Sequence, residues 1–366
     1  MSRGNDGMTE IKGIITKGVG GLYEVRPVYS VGRGVGDDGV GKENGGNAED
    51  HAGIPPVLSC RARGRFRSES ITPMVGDEVT VTESDDADRG GDADGRGRRK
   101  SDADASGGEW VVDSISPRRT ELIRPSVANL THLFLLLPAA KPLPDLLMAD
   151  KLTAASESAG IEPVVVIGKA DLDEDGAREL AKIYQIAGYR TFVLSSETGE
   201  GIGELKAFLT ALAAASKDTV TAAFAGVSGA GKSTLMTALF PGLRLVAGSV
   251  SRKTERGRHT TRSVELFPLS PDGEHIMFIA DTPGFSMLDF ARYNFFPAAE
   301  LAENFKEFAD CLGRCRYTKC THTKEEGCAV LEKLKNGGVS ASRHDNYVRI
   351  YEELRATPEW KRKKKG

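Results

Sequence analysis

Long hydrophobic runs are missing from this chain of 366 residues. Nothing in it approaches the ~20 consecutive apolar residues that a membrane-spanning helix needs. The longest runs, such as Leu133 to Leu137, have the length of a buried strand. No apolar segment follows the opening Met-Ser-Arg-Gly-Asn-Asp-Gly, so no secretory leader is expected and the reading is a cytoplasmic protein with no membrane partner. Cysteine is scarce, five residues in all, which excludes a disulfide-built scaffold. Neither sign of charge dominates: 49 basic and 52 acidic side chains leave a net charge of -3. That excludes a uniformly basic coat for nucleic acid but permits local patches. Aromatic residues make up only 7% and hydrophobic residues 39%. Glycine is abundant instead, at 42 residues, which places much of the chain in loops. At ~100–200 residues per domain, the length implies two or three domains.

Two segments carry almost no large apolar residues: Val31 to Ile54 and Glu83 to Gly107, both rich in Gly, Asp and Ala. They cannot bury enough surface to offset the entropy of ordering, and are expected to be flexible insertions. Around them lie five strand-like pieces: Gly13–Thr16, Leu22–Val25, Cys60–Arg67, Glu78–Val81 and Trp110–Ile115. Short strands on long connections predict a small β-barrel. Along Cys60–Arg67 the residues Arg61, Arg63, Arg65 and Arg67 alternate with small or apolar ones. In a strand that period places all four on one face, suited either to an RNA backbone or simply to solvent.

From Thr131 to about Phe295 the pattern changes. Apolar runs at Leu133–Leu137, Val164–Ile167, Thr191–Leu194, Ala222–Ala225 and Ile276–Ala280 alternate with amphipathic stretches such as Ala177–Ile186 and Gly203–Ala214. This predicts an α/β domain on a mostly parallel sheet. From Ala298 the chain reads as helical and charged, and it ends in the basic run Lys361 to Lys365.

Gly226-Val227-Ser228-Gly229-Ala230-Gly231-Lys232-Ser233 matches the phosphate-binding pattern GxxxxGK[ST] at every position, with Thr234 next. Its backbone N–H groups can close around phosphate oxygens, Lys232 supplies a cation, and Ser233 can ligate Mg2+. Further on, the strand at Ile276–Ala280 runs into Asp281-Thr282-Pro283-Gly284, an acidic group followed by a backbone donor for a γ-phosphate. Between them Arg256–Arg262 is a polar segment whose Thr260 and Thr261 can serve a switch loop, Thr261 joining the magnesium shell. Gly168-Lys169-Ala170-Asp171 resembles the guanine motif NKxD, in which the carboxylate accepts from N1–H and the exocyclic amine. Ser195-Ser196-Glu197-Thr198-Gly199 resembles the loop that meets guanine O6.

The order of these motifs is inverted: the base readers precede the phosphate loop, which precedes the switch segments. With that order the chain resembles the circularly permuted, ribosome small-subunit-dependent GTPases, RsgA (also called YjeQ). The spacing Cys315-x4-Cys320-x-His322-x5-Cys328 agrees. Three thiols and one imidazole form a closed set suited to one structural zinc ion, and the flanking Glu325 to Val330 is similar to the family's zinc segment. Cys311 lies outside that pattern and is read as a free thiol.

The resemblance implies three domains: an OB-fold RNA-binding barrel at 1–117 holding the insertions 31–54 and 83–107, a permuted GTPase domain at 118–297, and a helical zinc domain at 298–366. It implies GTP and GDP with Mg2+ as ligands, and a monomer whose partner is the small ribosomal subunit and its rRNA, late in that subunit's maturation, with hydrolysis timing release. Lys232, Asp281 and Gly284 would serve catalysis. Two positions depart from the family pattern. Gly168 stands where Asn or Thr is usual, removing one side-chain hydrogen bond near the base. Phe285 stands where classical small GTPases carry glutamine, so the water must be handled elsewhere, with His259 the nearest candidate by resemblance. Two other readings stay open: a P-loop ATPase or kinase with an RNA-binding barrel, against which Asp171 argues, and a non-catalytic RNA-binding factor switched by nucleotide.

Overall fold

The structure, a computed structural model, describes residues 10–28, 57–69, 71–83, 110–123, 126–216, 218–241, 264–281 and 296–356. The insertion at 31–54, the other one beyond Glu83, and His259, Thr260, Thr261, Gly284, Phe285 and the basic tail lie outside the described residues. The chain divides into two compact units, Met1–Arg118 and Arg119–Gly366.

In the first unit β1 (Glu10–Val19), β2 (Leu22–Pro27), β3 (Leu58–Ala62), β4 (Glu78–Glu83) and β5 (Trp110–Ile115) close a barrel in the order β1-β2-β3-β5-β4. The β3–β5 pair is parallel and the other pairings are antiparallel, the arrangement of an OB-fold. Ile15, Val25, Val81 and Val112 are wholly buried and fill the interior. Asp77, also buried, takes two hydrogen bonds from the Arg118 guanidinium at 2.7 and 3.0 Å and one from the Met74 N–H at 2.7 Å.

The arginine row does not form. The strand stops at Ala62, and the chain then turns at Gly64 into a single helical turn, α1 (Arg65–Ser68). Within that turn Phe66 is buried, 5% exposed. Arg61 remains exposed on β3. Arg63 pairs with Asp113 on β5 at 2.8 Å, and Arg65 reaches the same carboxylate at 3.5 Å.

The second unit opens with a small hairpin, β6 (Glu121–Ile123) and β7 (Ser126–Ala128). Its main sheet comprises β8 (His132–Pro138), β9 (Glu162–Gly168), β10 (Arg190–Val193), β11 (Val220–Ala225), β12 (Glu265–Leu269) and β13 (Met277–Asp281). The spatial order is β10-β9-β8-β11-β13-β12, parallel except for β12 against β13. Every residue of β8 and β11 is buried, as expected of strands covered on both faces. The covering helices are α2 (Leu146–Ser158), α3 (Glu174–Ile186), α4 (Ile202–Ala215) and α5 (Lys232–Leu239). Asp145 caps α2 by accepting from the Met148 N–H at 3.0 Å, a contact worth about 1 kcal/mol.

Beyond Phe296 the chain starts with tight 3-10 turns at Ala298–Asn304 and Lys306–Phe308, then α6 (Ala329–Lys335) and α7 (Ala341–Ala356). Their core gathers Phe305, Phe308, Val330, Tyr347 and Ile350 and includes Ala154 and Ala155 of α2. One helix of the α/β layer is thus shared with the C-terminal module.

Candidate functional site

From β8 the chain steps outward through β9 to β10, then returns to β11 and proceeds the other way to β13. The switch falls between β8 and β11. Ligands of such sheets bind at the carboxyl ends of the strands beside that point.

The phosphate loop occupies this place. β11 ends at Ala225, and α5 begins at Lys232. Gly226 passes so close to β8 that a Cβ would stand 2.8 Å from the Leu136 carbonyl oxygen. Gly229 and Gly231 adopt φ of 80° and 100°, which a side chain would strain, and so let the N–H groups turn toward one point. Lys232 is half-buried and has no ion-pair partner among the described residues; Ser233 and Thr234 are exposed on the first turn of α5. The dipole of that turn favours an anion.

The base-reading segments arrive on the neighbouring strands. β9 ends at Gly168, and Lys169 takes a left-handed φ of 59° before a 3-10 turn that presents Asp171. The Lys169 ammonium donates to the Lys141 carbonyl oxygen at 2.6 Å, and the Ala170 N–H donates to the Leu194 carbonyl oxygen at 3.2 Å. A Cβ on Gly168 would meet Leu136 Cδ1 at 3.1 Å, so the bare backbone here matches a neighbour that fills the space. After β10, Ser195 is buried and its hydroxyl accepts from the N–H groups of Glu197 and Thr198 at 3.2 and 3.1 Å, which shapes the loop. The next residue, Ser196, is half-buried.

These pieces meet in one cleft of about 310 Å3, lined by Gly168, Lys169, Asp171, Ser196, Gly231 and Thr234. Leu136, Leu194 and Leu235 also line it, giving a flat base an apolar surface beside the polar groups. None of these three leucines belongs to a motif: Leu194 directly precedes the Ser195–Gly199 loop and Leu235 follows Ser233 and Thr234, but Leu136 has no motif beside it in sequence. Leu172, 64% exposed, is a further lining residue. Asp281 ends β13, whose Ala280 pairs in register beyond the Met277–Val220 start, opposite Ala223 of the strand that enters the phosphate loop. The rest of the switch set, Gly284, His259, Thr260 and Thr261, lies outside the described residues.

The second site is the cysteine cluster. The ligand atoms of Cys315, Cys320, His322 and Cys328 all lie within 4.8 Å of one another. Cys315 Sγ and Cys328 Sγ are 3.9 Å apart, and each is 3.5 Å from His322 Nδ1. A tetrahedral zinc with usual bond lengths requires edges of about 3.8 Å between sulfurs and about 3.5 Å from sulfur to nitrogen. The donor set therefore fits the ion. Burial pushes the Cys320 thiol up to about 12, a cost that a cation among the thiols would remove. Cys311 is buried nearby but is not one of the four. The Glu325 carboxylate braces the loop, accepting from the N–H groups of Thr321, Thr323 and Lys324 at 2.8, 3.0 and 3.1 Å.

The chain is similar to known proteins over most of its length. The RsgA GTPase profile matches residues 115–291, and that of the RsgA N-terminal domain matches residues 55–90. A protein of Moorella thermoacetica named small ribosomal subunit biogenesis GTPase RsgA is 38% identical over 81% of this chain and 90% of its own. Its namesake in Ruminiclostridium cellulolyticum is 33% identical over 96% of each. Among solved structures, YjeQ from Thermotoga maritima is 27% identical, with a TM-score of 0.68 over 96% of this chain and 100% of that one. YloQ, described as a circularly permuted GTPase, is 26% identical with a TM-score of 0.65 over 97% of this chain and 98% of its own.

Proposed function

The chain belongs to the RsgA GTPase family, and from that premise we propose that it hydrolyses GTP on the small ribosomal subunit, late in that subunit's maturation, with hydrolysis timing its release. The observation that carries this reading is the single cleft joining Asp171 and Ser196 to Gly231 and Thr234. A guanine base against Leu136, Leu194 and Leu235 would offer its N1–H and amine to Asp171, while its phosphates run to the turn at 226–231. In this reading Lys232 serves the β- and γ-phosphates, and Ser233 with Thr261 holds Mg2+. The ion would draw charge from the phosphoryl oxygens. Asp281 and Gly284 sense the γ-phosphate, and His259 handles the water.

The OB barrel and the C-terminal module would face rRNA. One structural zinc on Cys315, Cys320, His322 and Cys328 would hold that module together. Among the described residues no helix is long and apolar enough to cross a membrane, and we assign the protein to the cytoplasm as a monomer. Turnover of GTP against ATP, with and without purified small subunits, tests the proposal. GTP-selective turnover that rises with subunits supports it. ATP turnover would restore the ATPase reading, and nucleotide binding without turnover the non-catalytic one.

A further inference from the structure

The second unit contains a knot of buried charge that neither site uses. The Arg343 side chain on α7 is 1% exposed. Its Nη1 donates to Asp150 Oδ1 of α2 at 2.6 Å, while Nε and Nη2 fork onto the two Glu307 oxygens, the latter at 3.1 Å. Asn346, one turn along α7, donates to Asp150 Oδ2 at 2.7 Å. The guanidinium also lies over the rings of Tyr184, Tyr189 and Phe305 at 5.5, 5.3 and 4.9 Å. So complete a set of partners fixes the position of α7 on α2, because a buried charge that loses one of them is left uncompensated.

Each helix in that clasp has a second grip. On α7, His344 Nε2 lies 2.9 Å from the carbonyl oxygen of the candidate zinc ligand His322, and Tyr347 donates its hydroxyl to the Thr321 carbonyl oxygen at 2.9 Å. Residues 343 and 346 therefore hold α2 while residues 344 and 347 hold the metal loop. The cap Asp145 and, on α2, Met148, Ala149 and Leu152 face Gly226 and Val227 across a small void of about 20 Å3 that Leu135 and Leu137 of β8 also line. A void of that size holds no more than about one water molecule, so helix and phosphate loop lie close enough for the placement of one to bear on the other.

From this chain of contacts we infer that Arg343 is a positioning residue for the phosphate loop, and that through α2 it couples nucleotide binding to metal retention at Cys315, Cys320, His322 and Cys328. The inference rests on the GTPase reading and on zinc as the ion. Coupling is reciprocal: nucleotide that settles α2 tightens the grip on zinc, and zinc tightens the grip on nucleotide by the same factor.

The test follows zinc leaving the full-length, zinc-loaded protein for the chromogenic chelator 4-(2-pyridylazo)resorcinol, with and without saturating GDP. In parallel, mant-GDP fluorescence reports nucleotide occupancy. GDP is expected to slow zinc transfer by about 5-fold, the lower end of ordinary coupling. Asp150→Asn keeps the shape and leaves the Arg343–Glu307 fork intact, but removes the charge and one of the two oxygens that accept from Arg343, Tyr184 and Asn346, so GDP should no longer slow transfer although mant-GDP still binds. Arg343→Met should do the same where it folds. Val330→Ala, a core truncation in the metal module, should speed transfer in both states yet keep the GDP effect. Bound mant-GDP with unchanged zinc transfer in the wild-type protein would overturn the coupling and leave the GTPase reading standing. So would an Asp150→Asn protein that retains the full GDP effect.

Discussion

Asp171 and Thr234 line the same cleft, although the first follows β9 and the second belongs to the helix that begins after β11. The sheet order brings the two strand ends into proximity on either side of β8. Permuting the chain therefore changes which motif is made first and leaves their meeting place intact.

Lys232→Ala should lower GTP turnover by about 100- to 1000-fold, the usual effect of removing one donor from a developing charge. The side chain sits in the first turn of α5 and no core cluster depends on it, so the circular dichroism spectrum and melting temperature should stay near those of the wild type. Turnover of wild-type size in this variant would remove Lys232 from the active site.

Metal analysis of the purified protein should return one zinc per chain, and Cys320→Ser should return little. Glu325→Ala should release zinc to a chelator about 10-fold faster or more, since groups that orient metal ligands typically contribute that much. The carboxylate holds the backbone N–H groups of Thr321, Thr323 and Lys324, on either side of His322. Equal release rates would show that the loop holds its shape without it.

Arg61 and Arg63 should separate by experiment. Arg61→Ala should weaken binding to the small subunit and reduce the salt slope by about one unit, as the loss of one phosphate contact does. Arg63 is half-buried against Asp113, whereas Arg61 is exposed, so Arg63→Ala should cost the barrel up to about 1 kcal/mol and leave that slope unchanged. The reverse pattern would place RNA on the Arg63 side.

How much of this was legible beforehand is clear from that pair. The period-two spacing of the arginines was real, but a strand is only one way to satisfy it. The chain takes a turn at Gly64 and one helical turn over 65–68 instead, with Phe66 still buried. The parallel strands were readable because sheets covered on both faces demand unbroken apolar runs. The phosphate loop and the cysteine set were readable because glycine geometry and metal coordination tolerate few alternatives. The Asp150–Arg343–Glu307 knot was not readable. Its members are far apart in the chain, and nothing in an isolated Asp, Glu or Arg marks it as buried.

That knot gives a pH dependence. Burial pushes the Asp150 carboxyl up to about 6, outweighing the attraction of Arg343 and the Asn346 hydrogen bond. A carboxyl raised in the folded state contributes stability that is full below its unfolded value, near 4, and is lost as pH rises through about 6. In urea unfolding of the zinc-loaded protein, the wild type should therefore lose about 1 kcal/mol relative to Asp150→Asn between pH 5 and pH 7.5. A difference between the two proteins that does not change with pH would show Asp150 ionised throughout.

The central claim is that the cleft reads guanine through Asp171, and one substitution addresses it directly. In Asp171→Asn the amide can present a donor where guanine also presents one, while xanthine offers a carbonyl in place of the 2-amino group. Each unpaired buried polar group costs about 1–3 kcal/mol, so discrimination should shift by at least about 10-fold. Competition of GTP, XTP and ATP for the variant, read as kcat/KM, is the measurement. The account predicts that the wild-type protein prefers GTP and the variant prefers XTP. A variant that still prefers GTP over XTP would contradict it.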